Sequence, residues 1–351
     1  MNEIFPASFI EFPASTEEGR SASFYLAAEE YLAQEMPEGN YVFFWQLNPT
    51  CVFGRHQNPA LELDLDFCRR HGVDIVRRKS GGGTIFANKD NIMVSLVTGK
   101  GSVETVFNAF SHEIARCLKQ LGAPMKVSGR NDICLEDGRK ICGGAFYHMK
   151  DRNIVHCTML YDTDMEMMRG CLTPARAKLE SKGVKSVPSR IGLLKEFFPF
   201  GVEELRHRLG TLLTNRTLRL SAEQVARIEV LEQPYHTAEY IFGKSGRHSA
   251  PTTPIEHTFT ASRRIEGCGR VEIALELSAT GTGTIADVHL SGDFFETGER
   301  PAEEAFREAL CGLPLRSADI TEALRRHKPE RTIRGLSAEA LEEILGEPRR
   351  A

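Results

Sequence analysis

The sequence predicts an α+β protein in two domains. Three observations carry this. Short β-prone runs, among them "YVFFWQL" from Tyr41, "VDIVRRK" from Val73, "NIMVSLV" from Asn91 and "NIVHCTMLY" from Asn153, are interleaved with helical patterns. One helical pattern stands out, with apolar residues at 103, 106, 107, 110, 114, 118 and 121, one face of a 3.6-residue period. Finally, "FGKSGRHSAPTTP" over 242–254 is rich in Gly, Ser, Thr and Pro, and beyond it the tail has an alternation of its own.

Taken in order, "SASFYLAAEEYLAQEM" from Ser21 reads as an amphipathic helix, with acids between its apolar positions. "YVFFWQL" is aromatic, reads as a buried strand and carries the only tryptophan, Trp45. The helix from Val103 can be capped by Ser102 and ended by Gly122. "NDICLED" and "RKICGGAFY" flank the polar turn "DGR" and read as a hairpin. A basic, irregular stretch, "ARAKLESKGVKSVPSR", follows the strand from Asn153. In the tail, "RVEIALELSATGTGTIADVHLSG" reads as two strands joined by a glycine-rich turn, followed by helices at "AEEAFREALCG", "SADITEALRR" and after Leu336. The expected division is a first domain over 1–245, a linker over 246–256 and a second domain over 257–351.

Composition limits the function classes. The chain has 351 residues, 41% apolar and 26% charged, with a net charge of -4, so nothing points to nucleic acid or a membrane surface as partner. The N-terminal stretch lacks a signal-peptide pattern, and no apolar run approaches a membrane span, so a cytoplasmic location is expected. Nine cysteines, at 51, 68, 117, 134, 142, 157, 171, 268 and 311, form no CxxC pair. They read as small buried hydrophobes of a reducing compartment, and no HExxH or Cys/His cluster suggests zinc.

The segment "RRKSGGGTIFANKDNIMVSLV", from Arg77, sets three basic residues and three glycines before an apolar run. It is neither a Walker loop nor GxGxxG. Its order, strand then basic cluster then glycines then strand, can hold a nucleotide on backbone N–H groups, with Arg77, Arg78 and Lys79 neutralising phosphate oxygens. On the glycines alone the favoured reading is a hairpin turn flanked by exposed bases, since lone glycine motifs recur by chance. Farther on, Lys140 begins a strand that continues through Cys142, Gly143 and Gly144. There a lysine can meet a carboxylate and then an acyl phosphate.

Together these stretches resemble the bacterial lipoate–protein ligases of the biotin/lipoate ligase superfamily. The family's Arg-Arg-x-Ser-Gly-Gly-Gly-x-x-Phe loop stands here as Arg77-Arg78-Lys79-Ser80-Gly81-Gly82-Gly83-Thr84-Ile85-Phe86. Its "GRND" and "RKxxGxA" segment is Gly129-Arg130-Asn131-Asp132 and Arg139-Lys140-Ile141-Cys142-Gly143-Gly144-Ala145. Its "HxTL" strand is His156-Cys157-Thr158-Met159-Leu160, and its "KLxxKGxxSVxSR" signature runs from Lys178 to Arg190. The matches span roughly Phe24 to Gly243, and the tail resembles the accessory domain of the full-length enzymes. The chain departs at Ala87, where family members often have histidine, and at Tyr147, where a basic residue is frequent.

The resemblance implies a biotin/lipoate ligase-like catalytic domain of mixed β-sheets flanked by helices, plus a small α/β accessory domain. It implies two half-reactions: lipoate and ATP give lipoyl-AMP and pyrophosphate, and a lysine of an apo lipoyl domain then takes the lipoyl group. Acceptors would be 2-oxoacid dehydrogenase E2 subunits and the glycine cleavage H protein. Lipoic acid, with octanoic acid as an alternative, would be the acid, Mg²⁺ would accompany ATP, and the enzyme would be a monomer. Lys140 is expected at the reacting carboxylate. Arg78, Ser80, Gly83, Thr84, Ile85, Phe86, Asn131, Asp132 and Lys182 are expected along ATP and the adenylate, with Asp132 as a metal ligand. Trp45, Gly82, Gly143, Ala145, His156 and Thr158 are expected along lipoate. On chemistry alone His156 is by default a satisfied core histidine, Trp45 is more often core than ligand wall, and Ser80 is equally a phosphate donor or a shaper of the loop. Two rivals remain at this stage. One is an acyl transferase using a thioester at Cys142, Cys157 or Cys171; the other is a non-catalytic lipoyl-binding module.

Overall fold

The computed structural model describes residues 4–14, 19–99, 101–128, 132–149, 151–172, 191–243, 255–278, 283–297, 300–315, 317–345 and 349–350. It comprises two compact units. The first is Met1–Phe53, Pro59–Ser80 and Thr84–Ile241; the second is Gly54–Asn58, Gly81–Gly83 and Phe242–Ala351. The second unit thus takes in two short segments from early in the chain as well as the tail.

In the first unit the elements that matter are strands β1 (Ala7–Glu11), β2 (Tyr41–Trp45), β3 (Thr50–Phe53), β4 (Asp74–Arg77), β5 (Ile85–Ala87), β6 (Asn91–Thr98), β7 (Met125–Ser128), β8 (Asp132–Leu135), β9 (Lys140–Met149), β10 (Arg152–Leu160) and β11 (Thr214–Arg219). The helices are α1 (Ala22–Glu35), α2 (Leu65–Arg70), α3 (Val103–Gln120), α4 (Met165–Cys171), α5 (Val202–Leu213) and α6 (Ala222–Glu232). Eight strands form one sheet in the order β11-β1-β2-β6-β10-β9-β8-β7, and three form a smaller one, β4-β3-β5. From β2 to β7 neighbouring strands of the large sheet run antiparallel, and β1 pairs parallel with both β2 and β11.

The helix from Val103 has the expected buried stripe, with Ser102 at the N-cap position but without a side-chain cap bond. The expected hairpin exists as β8 and β9. The helix after Ser21 differs from expectation. Ser21 does cap α1, accepting from the Ser23 N–H, but every residue from Ala22 to Ala33 is buried, Glu29 and Glu30 included. Leaving a charge buried without a partner costs several kcal/mol, so these acids must be paired. Glu30 meets Lys79 Nζ at 2.6 Å and accepts from the Tyr235 hydroxyl. Glu29 Oε1 accepts from Ser95 Oγ at 2.6 Å and lies 2.8 Å from His156 Nδ1. α1 is therefore a central helix packed against the β2, β6 and β10 face of the large sheet, sharing its core with Phe43, Trp45, Met93 and Ile154.

The second unit is an antiparallel sheet, β14 (Ile285–Gly292), β13 (Gly269–Ser278), β12 (Ile255–Ile265) and β15 (Arg349–Arg350), with helices α7 (Ala302–Leu310), α8 (Ser317–His327) and α9 (Ala338–Leu345). Val271, Ile273, Leu275 and Val288, Leu290 pack with Phe306, Leu324 and Leu341 in its core. The glycine run belongs here: the Gly82 N–H donates to the Phe294 carbonyl, and a Cβ at Gly81 would lie 2.2 Å from that oxygen. The His56 ring stacks on Phe294, with centroids 4.5 Å apart, and Arg55 and His56 each reach Glu296 at 3.4 Å. His289 lies among carboxylates: Nδ1 is 3.2 Å from Glu303, and Nε2 is 3.3 Å from Glu276 and 3.8 Å from Asp287. Arg307 pairs with Asp287 and Glu303. The bond to Glu303, opposed by burial, raises the His289 pKa above its ordinary value.

Candidate active site

The register of the large sheet places the candidates on one face. Directly paired residues share a face of a sheet. Trp45 pairs with Met93, Met93 with Thr158, Thr158 with Gly143, and Gly143 with Asp132, so these five form one row across five strands. The next row runs Phe43, Ser95, His156, Ala145. Five residues expected along lipoate, Trp45, Gly143, Ala145, His156 and Thr158, thus come together with Asp132 at the row's end. Period-2 alternation turns Cys142 and Cys157 to the other face.

Lys140 starts β9 and reaches back over this face. Its Nζ lies 2.7 Å from Asp132 Oδ1. A Cβ on Gly143 would stand 2.7 Å from the same nitrogen and 2.9 Å from Cε. Gly143 is thus needed first of all for the lysine to cross it. Lys140 and Asp132 side chains are 40% and 35% exposed, so the pair is open to solvent and to a substrate.

A buried chain of polar groups lies under the row. Trp45 Nε1 donates to Ser95 Oγ at 2.9 Å, Ser95 donates to Glu29, Glu29 holds His156 Nδ1, and His156 Nε2 lies 2.9 Å from Ser80 Oγ. Arg78 Nε donates to Ser80 at 3.0 Å and Nη1 to the Val52 carbonyl at 3.0 Å. Burial lowers the Arg78 pKa to about 10, against the pull of Glu29. At neutral pH it remains a cation, desolvated at little further cost to ligand binding. Two buried polar atoms here have no hydrogen-bond partner among the described residues, Glu29 Oε2 and the Tyr147 hydroxyl. Buried polar groups are rarely left so, and both are natural positions for a bound molecule or water.

Several expectations change. The basic trio does not act together. Arg77 donates to the carbonyls of Tyr240 and Ile241 and lies over the Phe53 ring at 4.6 Å, and Lys79 is paired with Glu30. Phe86 pairs with Cys51, and its side chain is buried in the small sheet's own core, whereas Ile85 packs against the main core and Thr84 is half-buried. Gly82 and Gly83 are grouped with the second unit. Asn131 and Lys182, and the basic stretch to Arg190, lie outside the described residues. Sequence reasoning missed Glu29 and Ser95; two adjacent acids inside an otherwise apolar helix were the available signal. A groove of about 540 Å³ lined by Tyr25, Trp45, Gln46, Lys89 and Arg206 meets the row only at Trp45 and does not include Lys140.

Cys157 carries no nucleophilic signature. Burial, reinforced by Cys142, pushes its thiol well above the usual range. It faces away from His156, so the thioester reading loses its Cys–His pair.

The mixed sheet thus carries a lysine–carboxylate pair at one end of a row that begins at Trp45, a cation placed where it can meet a carboxylate. The family described as "Lipoyl protein ligase A/B catalytic domain" matches residues 21–213, and "Bacterial lipoate protein ligase C-terminus" matches 255–345. Lipoate-protein ligase LplJ of Bacillus subtilis is 30% identical over 286 residues, covering 78% of this chain and 82% of its own. A probable lipoate-protein ligase A of Mycoplasma pneumoniae is 30% identical over 77% of this chain and 79% of its own. Among solved structures, P. falciparum LipL1 in complex with lipoate aligns with a TM-score of 0.69 at 17% identity, over 91% of this chain and 94% of that one. A lipoate-protein ligase A bound with ATP aligns with a TM-score of 0.56 at 18% identity, over 68% and 99%. The chain belongs to the lipoate–protein ligase family, and it is a ligase.

Proposed function

We propose that this ligase uses ATP to activate lipoate as lipoyl-AMP and then passes the lipoyl group to the lysine of an apo lipoyl domain. The observation that carries the reading is the Lys140–Asp132 pair lying over Gly143, at the end of a row that begins at Trp45. In the first step a lipoate carboxylate oxygen bonds to the α-phosphorus of ATP, and the bond to pyrophosphate breaks. Two anions must meet, so a cation at their junction lowers the barrier. Lys140 supplies it, first to the carboxylate and then to the bridging oxygen. In the second step the acceptor amine attacks the acyl carbon, AMP leaves, and the amine's proton goes to solvent.

Arg78 holds phosphate or carboxylate oxygens from a fixed position, because Ser80 and the Val52 carbonyl already orient its guanidinium. Ser80 takes its place between Arg78 and His156, and Thr84 and Ile85 lie along the adenylate. The remaining positions proposed along the nucleotide are Gly83, Phe86, Asn131 and Lys182, with Phe86 contributing through its backbone. Gly82 joins Trp45, Ala145, His156 and Thr158 along the acid. The aliphatic chain runs along the row toward Trp45; octanoate, also a carboxylate on an aliphatic chain, serves as an alternative. Asp132 is an oxygen donor suited to Mg²⁺, which also binds substrate phosphates. Such an ion masks phosphate charge. Acceptors are E2 subunits and the H protein, and the enzyme works as a cytoplasmic monomer, to which nine free thiols are suited.

Protein, ATP, Mg²⁺, lipoate and an apo lipoyl domain are incubated together, each being omitted in turn, and the acceptor is weighed. A lipoyl mass that requires every component is expected. Transfer from a lipoyl or octanoyl thioester donor, supplied in place of lipoate and without ATP, would replace the reading by the thioester mechanism, and no transfer with no pyrophosphate would leave a binding module.

A further inference from the structure

Cys51 on β3, Cys68 on α2 and Cys171 at the end of α4 are scattered in the sequence, yet their three sulfurs all lie within 4.8 Å of one another. No local spacing in the sequence shows this grouping. All three residues are 0% exposed, walled by Phe53, Leu63, Val73, Phe86 and Met168. Their backbones are fixed independently. Cys51 is paired with Ile75 and Phe86; the Cys68 carbonyl accepts from the Val73 N–H at 2.9 Å; the Cys171 carbonyl accepts from the Asp64 N–H at 2.9 Å. One buried cysteine is an ordinary small filler. Three that converge from separate elements on one point present a set of donors.

We propose that Cys51, Cys68 and Cys171 form a three-sulfur site for a thiophilic metal ion, of the zinc(II) or copper(I) kind. A zinc–thiolate bond of about 2.3 Å places sulfurs roughly 3.8 Å apart around one ion, so the cluster needs to contract by about an ångström at most. Sulfur donors select soft ions over Mg²⁺ or Ca²⁺. Met168 precedes Cys171 by three residues on α4 and lies in the same core, which adds a thioether at the site's wall. Binding is an exchange: three thiols release three protons as three metal–sulfur bonds form. Burial and the neighbouring sulfurs push the Cys51 thiol far up and Cys171 up to about 12. Once bound, the ion joins β3, α2 and α4, and β3 is the strand whose Phe53 carbonyl receives the Arg78 N–H.

The test uses reduced, metal-free, full-length protein titrated with Cd²⁺, whose thiolate complexes absorb in the ultraviolet. One Cd²⁺ per chain, a charge-transfer band, and slower alkylation of Cys51, Cys68 and Cys171 than in the metal-free chain, both mapped in urea that lets the buried thiols of the metal-free chain react, are expected, with the other cysteines labelled as before. Displacement of the band by Zn²⁺ or by buffered Cu(I) tells which ion the site prefers. Cys68→Ser should weaken Cd²⁺ binding at least tenfold. Because a buried serine can unfold the chain, the protection map on the unaltered protein decides independently. Absence of the band, protection at Cys142 and Cys157 instead, or loss of two hydrogens to a disulfide within the trio in place of metal uptake would each overturn the proposal.

Discussion

Lys140 reaches Asp132 only because residue 143 has no side chain. Gly143→Ala puts a methyl 2.7 Å from the ammonium. The lysine end is flexible and 40% exposed, so it swings aside and stability changes by less than about 0.5 kcal/mol. Pyrophosphate release, however, should fall by about tenfold to a hundredfold, since a misplaced donor loses most of its transition-state contribution. A stable variant with full activity would remove Lys140 from the reacting centre. Arg78→Lys is the companion. Lysine is a point charge and cannot bond both Ser80 and Val52 from the geometry of a fork. Adenylate formation should fall about a hundredfold or more; unchanged turnover would make Arg78 structural only. At this scale the sequence was informative about residues that the register brings onto one face of the sheet, because their types are chemically restricted. It was silent on Arg77 and Lys79, whose partners, Tyr240, Ile241 and Glu30, are set by tertiary packing.

α1 shows why an element can be legible in type and misread in environment. Its apolar pattern marks a helix, but periodicity alone cannot reveal that the acids face inward. That depends on Ser95 and His156, which occupy adjoining positions across two antiparallel strands. Ser95 is the joint, accepting from Trp45 and donating to Glu29. Ser95→Ala leaves the buried indole N–H without its acceptor and removes one donor from Glu29. The cost should be about 1–3 kcal/mol in urea unfolding. A change within error would mean that water replaces the hydroxyl there. The hairpin of β8 and β9 was legible from its polar turn; the row from Trp45 to Asp132 was not, because register between distant strands is written nowhere in a local window.

For the whole molecule, pH should act unevenly. His289 is held by Glu303, with Glu276 and Asp287 also facing it and Arg307 competing for Asp287 and Glu303. Its pKa is raised in the folded state. Its contribution is thus fully present below the unfolded value of about 6.5 and is lost as pH rises through the folded one. Hydrogen exchange of β13 and β14 amides, corrected for intrinsic rate, should show protection declining over that window, and His289→Gln should flatten the decline. Equal slopes in both proteins would exclude His289 as the cause.

The discontinuous second unit matters for a chain made vectorially on a ribosome. Residues 54–58 and 81–83 emerge early, but the Phe294 carbonyl and Glu296 that hold them do not exist until more than two hundred further residues have been translated. At roughly 5–20 residues per second, the glycine run waits on the order of ten seconds or more without its final partner. Stalled nascent chains ending before residue 290 should therefore leave Gly81–Gly83 open to a protease that cleaves unstructured chain, while β9 and β10 are already protected. Equal protection of both in the stalled chain would show that the loop settles without the tail.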